Sequence, residues 1–510
     1  MTLPVETLKR RPAAVECDVV VVGAGLGGLV CAASLARAGR RVVVVDRAKR
    51  PGGRLQTINH QGFAVDLGPV VWEAGLTELL ESVGVEEHGL VPLAPAESIR
   101  ISVVGPEGAS TPPSVLPIPG AVPAPSTLDA VRRLYEAPPR LFAALGEVYD
   151  EWSGATPEQI EQWKGMDVST WLAERDFEPS LVTAVGRSAV LLGGAPDASL
   201  VVLAGLARAL RDGAPTHVTV GDTPVSGARG VVQALVDIVI ESGGELRLGT
   251  RAIGLGHDGG RFTRLATRRE ETPFIEELAA ERCVFAISPG ELRSLLPAEP
   301  RAALDRLMLD SVTRRELAVT WALAGEIRPA ALRPEDETVV VRMVAPSRVA
   351  AQDAPAAGGT LVWSTVAAPR LAPPGRSLVR ASLPVAAELA SDVQALESRV
   401  DALRHALWGL APEATDAVVW EHRWLSDQPA ADPLKLPSLP LVAPGLAGVL
   451  LASQEVAVAG ATASGVTAAA IAGRAAAERI LAEGSAVPAP GPITEPDAEA
   501  DGEPEPVDAG

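Results

Sequence analysis

A chain of 510 residues is too long for one ordinary domain and suits two or three lobes around a large core. With 47% hydrophobic and 21% charged residues it reads as a folded body, and a net charge of −19 excludes nucleic acid as a partner, because a phosphate backbone needs a basic footprint. Three cysteines (Cys17, Cys31 and Cys283) cannot build a disulfide framework and lack metal-ligand spacing, so no metal site and a reducing, cytoplasmic setting are expected.

Residues 1–16 carry Lys9, Arg10 and Arg11 but neither an apolar h-region nor a small-residue cleavage site, and read as an N-terminal extension without a secretory signal. Next comes the most informative stretch. Asp18–Val22 is a β-branched run of the kind found in strands buried on both faces. It runs into Gly23-Ala24-Gly25-Leu26-Gly27-Gly28, then a helical segment Leu29–Ala38 that Gly39 is placed to end, then a second buried strand Arg41–Val45 closing on Asp46. Each glycine has a task in such a unit. Gly23 lets the chain turn out of the strand, Gly25 removes a Cβ where a pyrophosphate approaches, and Gly28 lets helix and strand pack closely. The helix N-terminus offers amides and a positive dipole end to phosphate. Asp46 stands where a carboxylate accepts ribose hydroxyls.

Beyond Asp46-Arg47 the chain continues through Gly52-Gly53-Arg54 to Gly62-Phe63-Ala64-Val65-Asp66-Leu67-Gly68-Pro69. An acid, a short spacer, Gly-Gly-Arg and a GF-x-x-D-x-GP strand resemble the phytoene desaturase and flavin amine oxidase superfamily. The resemblance implies FAD, bound without a covalent link, in an α/β fold: a Rossmann-type FAD-binding domain assembled from discontinuous segments plus an α+β substrate domain with a helical lobe. It implies FAD-binding segments at 17–95, 216–300 and 426–480, alternating with substrate segments at 96–215, the helical lobe, and 301–425. In the lobe, Asp167 is placed to cap a helix start, and the Ala/Leu-rich stretch Leu181–Leu210 breaks at Gly193-Gly194-Ala195-Pro196. Such an apolar lobe suits a channel for a greasy substrate, peripheral contact with a membrane, or simply a helix-pair core.

Two later stretches resemble the missing parts of the FAD domain. In Gly227–Ile253 a glycine turn, a helix, a Gly-Gly stop and a strand follow one another, and the resemblance puts Ile253 at the adenine. Cys283–Pro289 is similar to the next strand, with Ala286 at the same end. Gly448–Ala469 resembles the closing strand and helix, where the helix N-terminus, Gly465 and Val466, would face the flavin. There the chain departs from the family, because Ser453-Gln454 stands where Gly-acid is usual and Glu455 follows one position later. Gly23, Gly25, Leu26, Gly27, Gly28, Asp46, Arg47, Gly52, Gly53, Arg54, Gly68, Pro69, Ile253, Ala286, Glu455, Gly465 and Val466 are therefore the cofactor-binding residues that the resemblance implies.

The family's chemistry is hydride removal by the flavin. Amine oxidation in similar enzymes uses an aromatic cage and a lysine beside the ring. This chain has two tyrosines, 3% aromatic residues and no lysine between Lys164 and Lys435, and the stretch Ser311–Val319 offers arginine instead. Arginine stays protonated and cannot serve as a neutral base. The expectation is a desaturase or dehydrogenase of a lipophilic, carotenoid-like substrate, reoxidised by oxygen or a quinone. A flavin amine or protoporphyrinogen oxidase and a non-catalytic flavin-binding protein stay open. No acid or base can be nominated among the six scattered histidines; His60 lies nearest the flavin-proximal strand, and Trp72 is placed to flank the ring or to fill a core. From Leu481 the chain carries eight acidic and no basic residues among prolines and alanines, and 481–510 reads as an acidic disordered tail.

Overall fold

Val19–Val22 and Val42–Val45 show no polar alternation, and both faces of these strands are buried. They therefore sit at the centre of a sheet covered on both sides. In the computed structural model this sheet has nine strands. The structure describes residues 9–10, 15–68, 71–73, 75–88, 98–103, 115–119, 139–163, 166–193, 198–201, 203–212, 217–219, 228–269, 272, 274–308, 314–329, 340–344, 359–367, 369–426, 439–458, 465–484 and 493–494.

The parallel part of the sheet runs in the order Glu245–Leu248, Val42–Asp46, Val15–Val22, the end of Phe274–Phe285, and Val449–Leu451. Three widely separated stretches of chain thus build one sheet. An antiparallel meander of Thr250–Asp258, Arg261–Arg269 and Phe274–Phe285 extends it on one side. Helices Leu26–Arg37, Ala228–Glu241 and Gly465–Glu483 pack on one face around Leu29, Leu35, Leu235 and Ile480.

The first helix begins at Leu26, three residues before the sequence signal. Gly27 and Gly28 weaken helix propensity, yet both are required by close packing. A Cβ on Gly27 would strike the Ala452 and Ala469 carbonyls, and one on Gly28 the Gly23 carbonyl. Gly473 of the closing helix meets the Gly27 backbone in the same way, so the two helices approach to near backbone contact.

A second sheet of seven strands has the order Val418–Leu425, Arg314–Leu323, Ser377–Ala386, Thr360–Trp363, Val340–Val344, Ser98–Val103, Val115–Pro119. Helix Val393–Leu410 covers it over Trp321, Trp363 and Leu407. The helical lobe comprises Pro139–Ser153, Pro157–Gln162, Val168–Ala173, Pro179–Gly193 and Leu203–Asp212, which bury Tyr149, Trp152 and Trp171 among themselves. Asp167 caps the third of these, accepting the Thr170 amide at 2.9 Å. Among the described residues no helix is long and apolar enough to cross a membrane. The closing helix continues to Glu483, past the start of the acidic segment, and Ile493–Thr494 pair with Leu255–Gly256. The remainder of that segment, 485–492 and 495–510, lies outside the described residues.

Buried Arg380 ties the second sheet to the end of the hairpin Thr57–Asp66. It donates to the Asp66 carbonyl, to the Leu67 carbonyl at 3.4 Å and to Glu316 at 3.1 Å. Asp66 in turn accepts Thr57 Oγ1 at 2.5 Å and the Ala228 amide at 3.1 Å, where helix Ala228–Glu241 begins. The aspartate of the GF-x-x-D-x-GP strand is therefore a buried fastener, and burial raises its carboxyl above the ordinary aspartate value.

Candidate functional site

A cavity of about 580 Å³ opens where the parallel strands end. The residues following Val22, Asp46, Leu248, Phe285 and Leu451 all reach its wall, as expected for an open α/β sheet whose ligands bind outside the carboxyl ends of the strands.

The opening turn forms its floor. Gly23 has φ +106°, and a Cβ there would sit 2.5 Å from the Ala286 carbonyl oxygen. Its amide donates to Val45 at 2.8 Å, which locks the turn to the neighbouring strand. Gly25 caps the helix with ordinary extended backbone, and no acid occupies the first turn. The first helical amides therefore keep an anion-receptive electrostatic field. The second glycine pair folds over this turn: the Gly52 amide donates to the Ala24 carbonyl at 2.7 Å, and Gly53 approaches Gly25.

Asp46 lines the far end. Its two carboxylate oxygens accept the amides of Ala24 at 2.6 Å and Ala48 at 2.7 Å. Burial pushes its carboxyl upward, and those two bonds oppose the shift. Arg47 beside it pairs with Glu291 at 2.5 Å, and both residues edge the cavity. Arg54 lines the opposite part and donates to Gln454 Oε1 at 2.5 Å. Burial lowers the pKa of its guanidinium, while Glu455 and Glu316 act against that. Gln454 also donates through Nε2 to Glu455 Oε1 at 2.9 Å.

Of the residues expected from sequence, Gly23, Gly25, Leu26, Gly27, Asp46, Arg47, Gly52, Gly53, Arg54, Ala286, Glu455 and Val466 line this one cavity. Gly28, Gly68, Ile253 and Gly465 do not reach its wall. Gly28 and Gly68 instead serve close packing, because a Cβ on Gly68 would strike the Arg54 carbonyl. The neighbours of Ile253, namely Thr250, Arg251 and Ala252, take the wall position. Pro69 lies outside the described residues. His60 is exposed in the hairpin 57–66 and stands edge-on to Trp420, 5.2 Å between ring centres, away from the cavity. Trp72 lies in the strand Val71–Glu73, its backbone paired with Val218. All three cysteines are buried; burial pushes the Cys17 and Cys31 thiols up to about 12 and raises Cys283 as well, so none is a reactive thiolate.

Sequence reasoning missed Arg251, Ser288 and Glu291, whereas Ser453 and Gln454, noted as a departure from the family pattern, also line the wall. Their signal is position, since each follows the C-terminal end of a strand of the parallel sheet.

The fit to a dinucleotide can be tested at Gly25. A Cβ there would meet no protein atom within 4 Å although the residue lines the cavity, so the space in front of it is open to a ligand's phosphates. Main-chain amides, the helix N-terminus and Arg54 suit a diphosphate, and Asp46 suits a ribose.

Comparison with known proteins agrees. Residues 26–480 match the family of flavin containing amine oxidoreductases. Hydroxyneurosporene desaturase of Rhodobacter capsulatus is 28% identical over 313 residues, 57% of this chain and 60% of that protein. Phytoene dehydrogenase of Streptomyces griseus is 28% identical over 278 residues, 50% of this chain and 52% of that one. The chain thus spans between half and three fifths of the curated relatives it matches. Among solved structures, an oxidoreductase from Methanosarcina mazei superposes with a TM-score of 0.64 at 16% identity, covering 90% of this chain and 100% of the other. Cyclohexylamine oxidase from Brevibacterium oxydans IH-35A does so with 0.59 at 20% identity, covering 92% and 99%. These two likenesses concern the fold. The cavity's chemistry and the match over most of the chain's length lead to one conclusion: the chain belongs to the flavin containing amine oxidoreductase family.

Proposed function

We propose that this protein is an FAD-dependent oxidoreductase, a desaturase or dehydrogenase of a lipophilic, carotenoid-like substrate, and that it holds FAD without a covalent link. The observation that carries the reading is the similarity to hydroxyneurosporene desaturase and phytoene dehydrogenase over half of the chain or more. The composition points the same way. The stretch Ser311–Val319, where an amine oxidase's lysine would be sought, contains none, and the chain has too few aromatic residues to build a cage readily.

The bound flavin would supply the redox chemistry by accepting hydride from a C–H bond. The chain's own residues bind and orient. Amides of the Gly23–Gly28 turn and the Arg54 guanidinium hold the diphosphate. Asp46, already fixed by two amides, offers its remaining lone pairs to ribose hydroxyls. Val466 and Ala469 bring the N-terminal turn of the closing helix to the wall, where its dipole favours negative charge. Reoxidation falls to oxygen or a quinone.

The test is direct. The purified protein is expected to be yellow, with about one flavin per chain that stays in the supernatant after acid precipitation. Under anaerobic conditions, phytoene or hydroxyneurosporene in detergent should bleach the flavin while primary amines and protoporphyrinogen leave it oxidised. Bleaching by an amine or by protoporphyrinogen, but by neither polyene, would overturn the substrate class.

A further inference from the structure

The departure at Ser453-Gln454 has a physical explanation in the three side chains that meet there. Arg54 is a donor only, and an ionised Glu455 is an acceptor only. Gln454 lies between them with Oε1 toward the guanidinium at 2.5 Å and Nε2 toward the carboxylate at 2.9 Å. The amide presents an acceptor to one neighbour and a donor to the other without carrying charge, and both neighbours demand the same orientation of it. A carboxylate at position 454 would satisfy Arg54 but set a like charge against Glu455.

We propose that Gln454 is a positioning residue for the cofactor: anchored by Glu455, it holds the Arg54 guanidinium at the cavity wall in the pose that meets the diphosphate. The proposal deepens the functional reading and rests on it. Here the acid of the family pattern stands one residue later and acts on the arginine through an amide relay. All three side chains line the same cavity. Glu316, in the second sheet, also acts on Arg54 and pairs with Arg380 at 3.1 Å. Glu316 approaches from a different element and leaves the relay's geometry to Gln454.

The test measures dissociation constants for FAD and for ADP on the deflavinated protein. Gln454→Met keeps the volume and removes both polar ends. It is expected to weaken FAD and ADP by the same factor, roughly 10-fold, as for the loss of one charge-assisted hydrogen bond. Adenosine, which lacks the diphosphate, should bind both proteins alike. Glu455→Gln, which removes the anchor at the other end, should give a smaller loss in the same two ligands. The deciding measurement is a double-mutant cycle: in an Arg54→Met background, Gln454→Met should produce no further loss. If Gln454→Met weakens FAD alone, Gln454 acts on the flavin half and the proposal fails. If it weakens neither ligand, or if its effect adds in full to that of Arg54→Met, the relay does not exist. Should the unaltered protein bind ADP but no flavin, the functional reading fails instead, which separates the two ideas.

Discussion

Gly25 and Gly28 sit three residues apart in one turn, and the structure assigns them opposite kinds of necessity. Gly25 has φ −76°, ordinary for any residue, and a Cβ on it would touch no protein atom within 4 Å. Gly25→Ala in the cofactor-free protein therefore trades a somewhat poorer helix cap against a stiffer unfolded chain, leaving a net change within about 1 kcal/mol. The new methyl projects into the space assigned to the diphosphate. A methyl forced into a packed contact costs about 1–3 kcal/mol, which at the ligand is roughly 5- to 150-fold in Kd. Gly28 is the reverse case. Its Cβ would collide with the Gly23 carbonyl and approach Ala286 Cβ to 3.0 Å, and neither the strand nor the turn that Gly23 anchors can move freely. Gly28→Ala should cost about 3 kcal/mol or more of folding stability before any ligand is considered. The assay is urea unfolding of both deflavinated variants followed by FAD titration monitored by fluorescence quenching. A Gly25→Ala protein that keeps wild-type FAD affinity, or a Gly28→Ala protein as stable as wild type, refutes the reasoning.

Further outcomes follow from the junction between the second sheet and the hairpin Thr57–Asp66. Arg380→Met removes a guanidinium that is 3% exposed and leaves Glu316 and two backbone carbonyls without it, so unfolding free energy should fall by about 3 kcal/mol, the lower end for a broken buried ion pair because Glu316 is partly exposed; a loss below about 1 kcal/mol would contradict the clamp. Asp66 makes a pH-dependent contribution whose sign is set by its raised folded-state pKa. That contribution is fully present below the ordinary value of 3.8 and is lost as pH rises through the higher folded value. The stability difference between wild type and Asp66→Asn should accordingly shrink, or turn against the wild type, as pH rises above 3.8, and chemical denaturation of both proteins across pH 4 to 7 should show it; a difference independent of pH would mean that Asp66 is not desolvated.

The first βαβ unit was legible because every signal in it is local: two apolar strands, a glycine turn and an acid at a fixed distance. Even there the helix start was read late. Gly27 and Gly28 count against a helix by propensity, whereas what places them is close packing: Gly27 against the closing strand and helix, more than 400 positions along the chain, and Gly28 against the Gly23 carbonyl and Ala286. Ile253, which the resemblance puts at the adenine, falls where the ladder between Thr250–Asp258 and Arg261–Arg269 shifts between Ala252 and Gly254, and the cavity wall there is made by Thr250, Arg251 and Ala252. The second sheet was least legible, since its strand order follows from pairings between distant segments that leave no local trace. Gln454 stood out in the sequence only as a departure from the family pattern, with no sign of its partner. Its place became intelligible only beside Arg54, four hundred positions away.

The acidic residues of the recognisable motifs share a feature that bears on how such a site works. Asp46 spends one lone pair on each of two amides, Asp66 holds a helix start and a hydroxyl, and Glu455 orients an amide. None of them stands as an isolated negative charge facing the cavity. A diphosphate brings its own negative charge, and a bare carboxylate within a few ångströms would repel it. Carboxylates tied to protein donors keep the surrounding geometry fixed, while the amides of the glycine turn and the guanidinium of Arg54 face the cavity. On this view the substitution of glutamine for the family's acid does not weaken the pattern, because an amide backed by Glu455 holds the arginine without adding negative charge where the phosphates go.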